Sequence, residues 1–187
     1  MLKDNKMKAL VVYGTRWGGT AGVGQKIAEV LRKEGNAADV ADAKQTPRDL
    51  TSYDLFIVGS GIRADKWTDE TLRFLQKNIL LLRRKKTALF VSCQMADRKD
   101  ELGSKAKIKY LQGTAEKYGL QPVAYGFFGG YLDFHQSHGL IVDIMMKVNR
   151  KKLRRNGLDQ SKTLDTRSWE KIEAWASEIA NLACDEK

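Results

Sequence analysis

Residues 13–20 read YGTRWGGT, and the reading of this stretch decides the fold. Three glycines and two threonines occupy eight positions with no acid among them. Just before lies KALVVY (8–13), a short apolar, β-branched run. Just after, AGVGQKIAEVLRKE (21–34) places Val23, Ile27, Val30 and Leu31 on one helical stripe that stops at Gly35. The order is strand, glycine-rich loop, helix.

The same unit recurs along the chain. A second strand is predicted at about 38–43, and DLFIVGS (54–60) is nearly all apolar, as in a parallel sheet covered by helices on both faces. Thr68, Asp69 and Glu70 read as a capped, acidic helix start running to about Leu82. TALFVSC (87–93) repeats the buried-strand pattern, a helix from about Ser104 to Tyr118 stops at Gly119, and PVAYGFFGG (122–130) is a fifth strand. A last helix at about 167–183 lines up Trp169, Ile172, Ala176, Ile179 and Ala183. Five strands alternating with helices predict a doubly wound α/β domain. We read residues 1–187 as one such domain, with 1–6 flexible and 131–163 inserted after strand five.

In such a sheet the ligand crevice lies beyond the carboxyl ends of the strands, and the first loop commonly binds phosphate. Glycines bring backbone N–H groups close to an anion, Thr15 and Thr20 add hydroxyl donors, and the helix dipole favours negative charge. The loop lacks the G-x-x-x-x-G-K-[ST] pattern, which argues against nucleoside triphosphate hydrolysis, and Gly18, Gly19, Gly22 and Gly24 do not form G-x-G-x-x-G. Threonine and backbone donors suit a terminal phosphate monoester; a merely tight strand–helix turn is the alternative.

The net charge of +10 is local. Arg83, Arg84, Lys85 and Lys86 form one basic run, ahead of a strand and so at the end of the sheet away from the first loop. Lys147, Arg150, Lys151, Lys152, Arg154 and Arg155 form the other, and the two account for the whole net charge. Ahead of the second run, Leu140, Ile141, Ile144, Met145 and Val148 share one helical side, so 139–155 has the composition of a helix lying on an anionic membrane. A buried helix explains the apolar positions equally well but leaves the cations without a reason. His135 and His138 lack further ligands and read as polar loop residues, with no metal site expected. Cys93 and Cys184 have no redox or metal spacing and read as free buried thiols. The N-terminus is unlike a secretory signal and no apolar run reaches about 18 residues, so a cytoplasmic protein is expected, peripheral at the inner face of the membrane if 139–155 binds lipid. No helix-turn-helix, zinc finger or aromatic stacking platform supports nucleic-acid binding.

The segment Thr15-Arg16-Trp17-Gly18-Gly19-Thr20, followed by Gln25-Lys26-Ile27-Ala28, resembles the phosphate loop and first helix of flavodoxins, with Trp17 in place of the usual middle hydroxyl residue. Gly59-Ser60-Gly61-Ile62-Arg63, Ser92-Cys93-Gln94-Met95-Ala96 and Asp165-Thr166-Arg167 ahead of Trp169-Glu170 extend the resemblance to the menaquinone-dependent protoporphyrinogen dehydrogenase branch of the flavodoxin-like proteins. This implies a five-stranded parallel sheet of order 2-1-3-4-5 and noncovalent FMN, its phosphate on 15–20 and its ring between 60–67 and 92–97. Arg63 stands where flavodoxins commonly stack an aromatic; an arginine plane can stack, and its charge would favour reduced flavin. Trp67 either covers the ring or packs into the domain. The resemblance further implies electrons passing from a reduced organic substrate, such as a tetrapyrrole, to a quinone, with residues 131–155 contacting substrate or membrane. A flavodoxin-type carrier with protein redox partners is the alternative, against which the basic charge argues, since carriers are usually acidic.

Overall fold

The computed structural model describes residues 6–132 and 163–184. The expectations for residues 1–5, for His135 and His138, and for the amphipathic and basic stretch 139–155 lie outside the described residues, as do the side chains of Ala183 and Cys184.

Five parallel strands form the central sheet: β1 (Lys8–Gly14), β2 (Ala37–Asp42), β3 (Leu55–Arg63), β5 (Lys86–Ser92) and β6 (Ala124–Phe128), in the order β2-β1-β3-β5-β6. That is the expected 2-1-3-4-5, because β4 (Lys66–Trp67) pairs only with β3 and lies off the path. Successive side chains of a strand point to opposite faces, and the central strands use both. Ala9, Val11, Leu55, Ile57, Ala88 and Phe90 pack against α1 (Gly19–Lys33) and the last helix, α6 (Trp169–Cys184). Leu10, Val12, Phe56, Val58, Leu89 and Val91 pack on the other face, against α2 (Asp69–Lys77), the short α3 (Ile79–Leu82), and the helical stretch from α4 (Glu101–Lys107) to α5 (Gly113–Tyr118). Apolar burial on both faces is why these strands read as continuous hydrophobic runs.

The structure redraws three elements. The helix expected over 68–82 breaks at Asn78, whose side chain donates to the Phe74 carbonyl at 2.9 Å and so competes with the backbone ladder. The helix expected from Ser104 starts earlier, because Asp100 caps it by accepting the Gly103 N–H at 3.1 Å, and it passes through one π-turn, Ile108–Gln112. Strand β3 continues into a hairpin with β4. Its two linking residues, Ala64 and Asp65, have φ of 45° and 64°, the left-handed pair that a two-residue hairpin requires. Alanine there costs roughly 1 kcal/mol or more.

The two ends of the expected insertion meet. Tyr131–Leu132 (β7) pairs antiparallel with Leu164–Asp165 (β8), so the chain leaves and returns at one place, beside the carboxyl ends of β5 and β6.

Candidate functional site

Neighbouring strands end level with one another. Gly14 lies opposite Ser60, Gly61 opposite Ser92, and Ser92 opposite Phe128. The chain leaves β1 toward β2 on one side while β3 lies on the other, so the loops after β1 and β3 part and leave a crevice. A cavity of about 300 Å³ occupies it, at the small end of ligand pockets.

All three expected loops reach that cavity. The first contributes Thr15, Arg16, Trp17, Gly19 and Thr20; the second Gly61, Ile62 and Arg63; the third Ser92, Cys93, Gln94 and Met95. Gly18, Ser60 and Ala96 are not on the lining. Gly18 instead makes the turn into α1, with φ of 80°, a conformation that glycine adopts without steric cost. The wholly buried Ser60 hydroxyl accepts the Thr68 N–H at 2.9 Å and lies 2.7 Å from the Gly61 carbonyl, to which it donates. Trp67 does not line the cavity: it is 4% exposed, and its Nε1 donates to the Tyr110 carbonyl at 2.7 Å. It packs into the core.

The first loop offers donors and no acid. Helix α1 starts with no side-chain cap and no acid in its first turn, so its leading N–H groups meet no carboxylate. The Thr15 and Thr20 hydroxyls bond to no other described residue, although Thr20 is only 3% exposed. Unspent donors on an acid-free helix start fit a phosphate. The other walls, with Ile62, Cys93, Met95 and Tyr131, suit an apolar ring system.

Sequence reasoning missed Tyr110 on the π-turn and Gly130, and did not single out Asp65 on the hairpin within the expected 60–67 loop. Lys109 and the Tyr110 hydroxyl both donate to the Asp65 carboxylate, and these bonds hold it below the usual aspartate range. Burial, helped by Asp65, raises the Tyr110 phenol. Burial likewise pushes the Cys93 thiol up to about 11, so at neutral pH this wall carries an uncharged S–H and not a thiolate nucleophile. Nothing in the local sequence pairs positions 65 and 110; 45 residues separate them, and the packing of the π-turn brings them together.

The segment after β8 also reaches the first loop. Arg167 donates from Nε and Nη2 to Asp165 at 2.8 and 2.6 Å, and from Nη1 to the Gly19 carbonyl at 3.0 Å. These bonds lower the Asp165 carboxyl. Among the described residues no cluster of His, Cys, Asp and Glu could hold a metal, and no helix is long and apolar enough to cross a membrane.

Known proteins share this fold. The family described as Flavodoxin domain matches residues 10–156. Protoporphyrinogen IX dehydrogenase [quinone] of Escherichia coli (strain K12) is 24% identical over 180 residues, covering 94% of this chain and 96% of that one. Among solved structures, a short-chain flavodoxin associated with a non-canonical PDU bacterial microcompartment superposes with a TM-score of 0.58 at 14% identity, covering 95% of this chain and 99% of its own. Rubredoxin oxygen:oxidoreductase from Desulfovibrio gigas gives 0.54 at 15% identity; 96% of this chain is matched, which spans only 37% of that longer protein.

Proposed function

This chain belongs to the flavodoxin domain family, a flavin-binding fold, and on that footing we propose that it is an FMN-dependent oxidoreductase resembling protoporphyrinogen IX dehydrogenase. In this reading it takes electrons from a reduced organic substrate of the tetrapyrrole class and delivers them to a quinone. The observation that carries the reading is the pairing, within one cavity, of an acid-free loop and helix start bearing two unspent hydroxyls, Thr15 and Thr20, with a wall of apolar and aromatic side chains.

Thr15, Thr20 and the leading N–H groups of α1 would hold the phosphate, with Arg16 and Trp17 on the rim and Gly18 shaping the turn. Gly61, Ile62 and Arg63 on one side and Cys93, Gln94 and Met95 on the other would hold the ring, with Ser60, Ser92 and Ala96 setting the backbone of their loops. FMN, when bound, supplies a two-electron acceptor at ring nitrogen N5. The chain's part is to orient and to set charge. Arg63 would set its guanidinium beside the ring and so favour its reduction. Ser92 donates to the Gly129 carbonyl at 2.8 Å and so ties the third loop to the end of β6.

Purified protein should be yellow. Anaerobic mixing with protoporphyrinogen should bleach it, and a soluble quinone should restore the colour; a flavoprotein that stays oxidised in the presence of that donor removes the enzyme reading. The second reading, a one-electron carrier between proteins, is favoured by the match to a flavodoxin over nearly its whole length. The +10 charge is the wrong sign for docking on basic partners. A stepwise reductive titration separates the two: a single two-electron step supports the enzyme, two resolved steps the carrier. Peripheral attachment through 139–155, at the cytoplasmic face of the membrane, would bring the site to a bilayer-dissolved quinone.

A further inference from the structure

We propose that Arg167 is a positioning residue that latches the strands bracketing residues 133–162 onto the first turn of α1 and thereby holds the anion-binding N–H groups in place. The proposal rests on the reading of residues 15–20 as the phosphate site.

The latch is built from both sides. Behind it, β7 and β8 pair, the Thr166 N–H donates to the Gly130 carbonyl at 3.0 Å, and the Gly130 N–H donates to Thr166 Oγ1 at 3.1 Å. Arg167 therefore projects from a fixed support. Its guanidinium lies 4.9 Å from the Tyr131 ring centroid and 4.6 Å from that of Trp169, and its side chain is 11% exposed. Rings on two sides and a fork on Asp165 restrict the plane, and the remaining arm reaches the Gly19 carbonyl. Tyr131 also closes over the same turn: a Cβ at Gly19 would stand 2.7 Å from Tyr131 Cβ.

The planarity of the peptide bond links this contact to the anion. The carbonyl of Gly19 and the N–H of Thr20 belong to one trans peptide and point in opposite directions. Fixing the carbonyl on Arg167 fixes the N–H of Thr20, a residue that lines the cavity. Charge attraction alone is a poor account of Arg167, because Asp165 takes two of its N–H groups and neutralises it.

The two accounts differ in sign at Asp165. We would measure FMN and riboflavin affinities of wild type, Arg167→Lys and Asp165→Asn by fluorescence titration, and amide hydrogen exchange across 18–23 in the flavin-free proteins. Lysine keeps the charge but neither forks nor stacks, so the latch predicts an FMN Kd raised roughly tenfold or more, with riboflavin binding unchanged and exchange across 18–23 faster. Asp165→Asn removes a negative charge near the phosphate yet should also weaken FMN binding. Three results would overturn the latch: wild-type FMN affinity in Arg167→Lys, tighter FMN binding in Asp165→Asn, or equal loss of both flavins, which marks general unfolding. Wild-type protein that binds riboflavin as tightly as FMN would instead sink the phosphate-site reading beneath it.

Discussion

The hydroxyl of Ser60, wholly buried within β3, accepts the backbone N–H of Thr68 at 2.9 Å. Thr68 is the N-cap residue of α2, but its hydroxyl pairs with that of Thr71 at 2.9 Å and makes no cap bond to the helix backbone, contrary to the capped start expected there, so Ser60 is what joins the second loop to the start of that helix. Ser60→Ala leaves this buried N–H without its partner, at a cost of roughly 1–3 kcal/mol. We expect a lower thermal midpoint, with FMN affinity at low temperature changed less than twofold, by calorimetry and titration. A large loss of FMN affinity with unchanged stability would show that the hydroxyl serves the flavin instead.

Thr20→Val keeps the shape of a residue that is 3% exposed and removes its hydroxyl. A hydrogen bond to a charged phosphate contributes about 1.5–3 kcal/mol. FMN affinity should therefore fall by roughly tenfold or more, while riboflavin, which has no phosphate, should bind as before. Equal affinity of the variant and wild type for FMN would remove Thr20 from the phosphate set.

Trp67 reports on the second loop without touching a ligand. Phenylalanine at this position loses the 2.7 Å bond from Nε1 to the Tyr110 carbonyl. Trp67→Phe should lower stability by about 1–3 kcal/mol and leave the quenching of flavin fluorescence unaltered. Recovered flavin emission in the variant would place the indole on the ring.

Three titratable groups lining the cavity move away from neutrality: Cys93 and Tyr110 upward, Asp65 downward. The rate with a non-ionising donor should therefore stay flat between about pH 6 and 8; a protein-linked step in that window would reveal an ionising group beyond these. Asp65 has a depressed folded value, so its contribution to holding the hairpin is fully present above the ordinary aspartate value, about 3.9, and is lost as pH falls through the folded one. Hydrogen exchange at 62–67 should quicken only in that acid range.

The cations at 147–155 should bring the protein to anionic vesicles, each contributing about 1 kcal/mol near the surface. Cosedimentation with phosphatidylserine vesicles should be strong at low salt, weaken as salt screens the surface, and be lost when Lys151, Lys152, Arg154 and Arg155 are replaced by glutamine. Unchanged sedimentation of the variant would end the membrane reading.

The sequence by itself determined the architecture. Runs such as LVV in β1 and FIV in β3 are apolar at every position, and only a sheet buried on both faces accommodates that. The acid-free glycine loop, the stop at Gly119 and the stripe of α6 were legible for the same reason: each depends on residues within a few turns of one another. Where a local polar group competes for the backbone, as Asn78 and Asp100 do, helix boundaries shifted from those that periodicity suggests. What only the tertiary structure decided is the pairing of distant segments. Asp65 meets Tyr110 across 45 residues and Arg167 meets Gly19 across 148. Such contacts follow from how helices and returning strands dock on the sheet, and no period or spacing along the chain encodes which side chains that docking brings together.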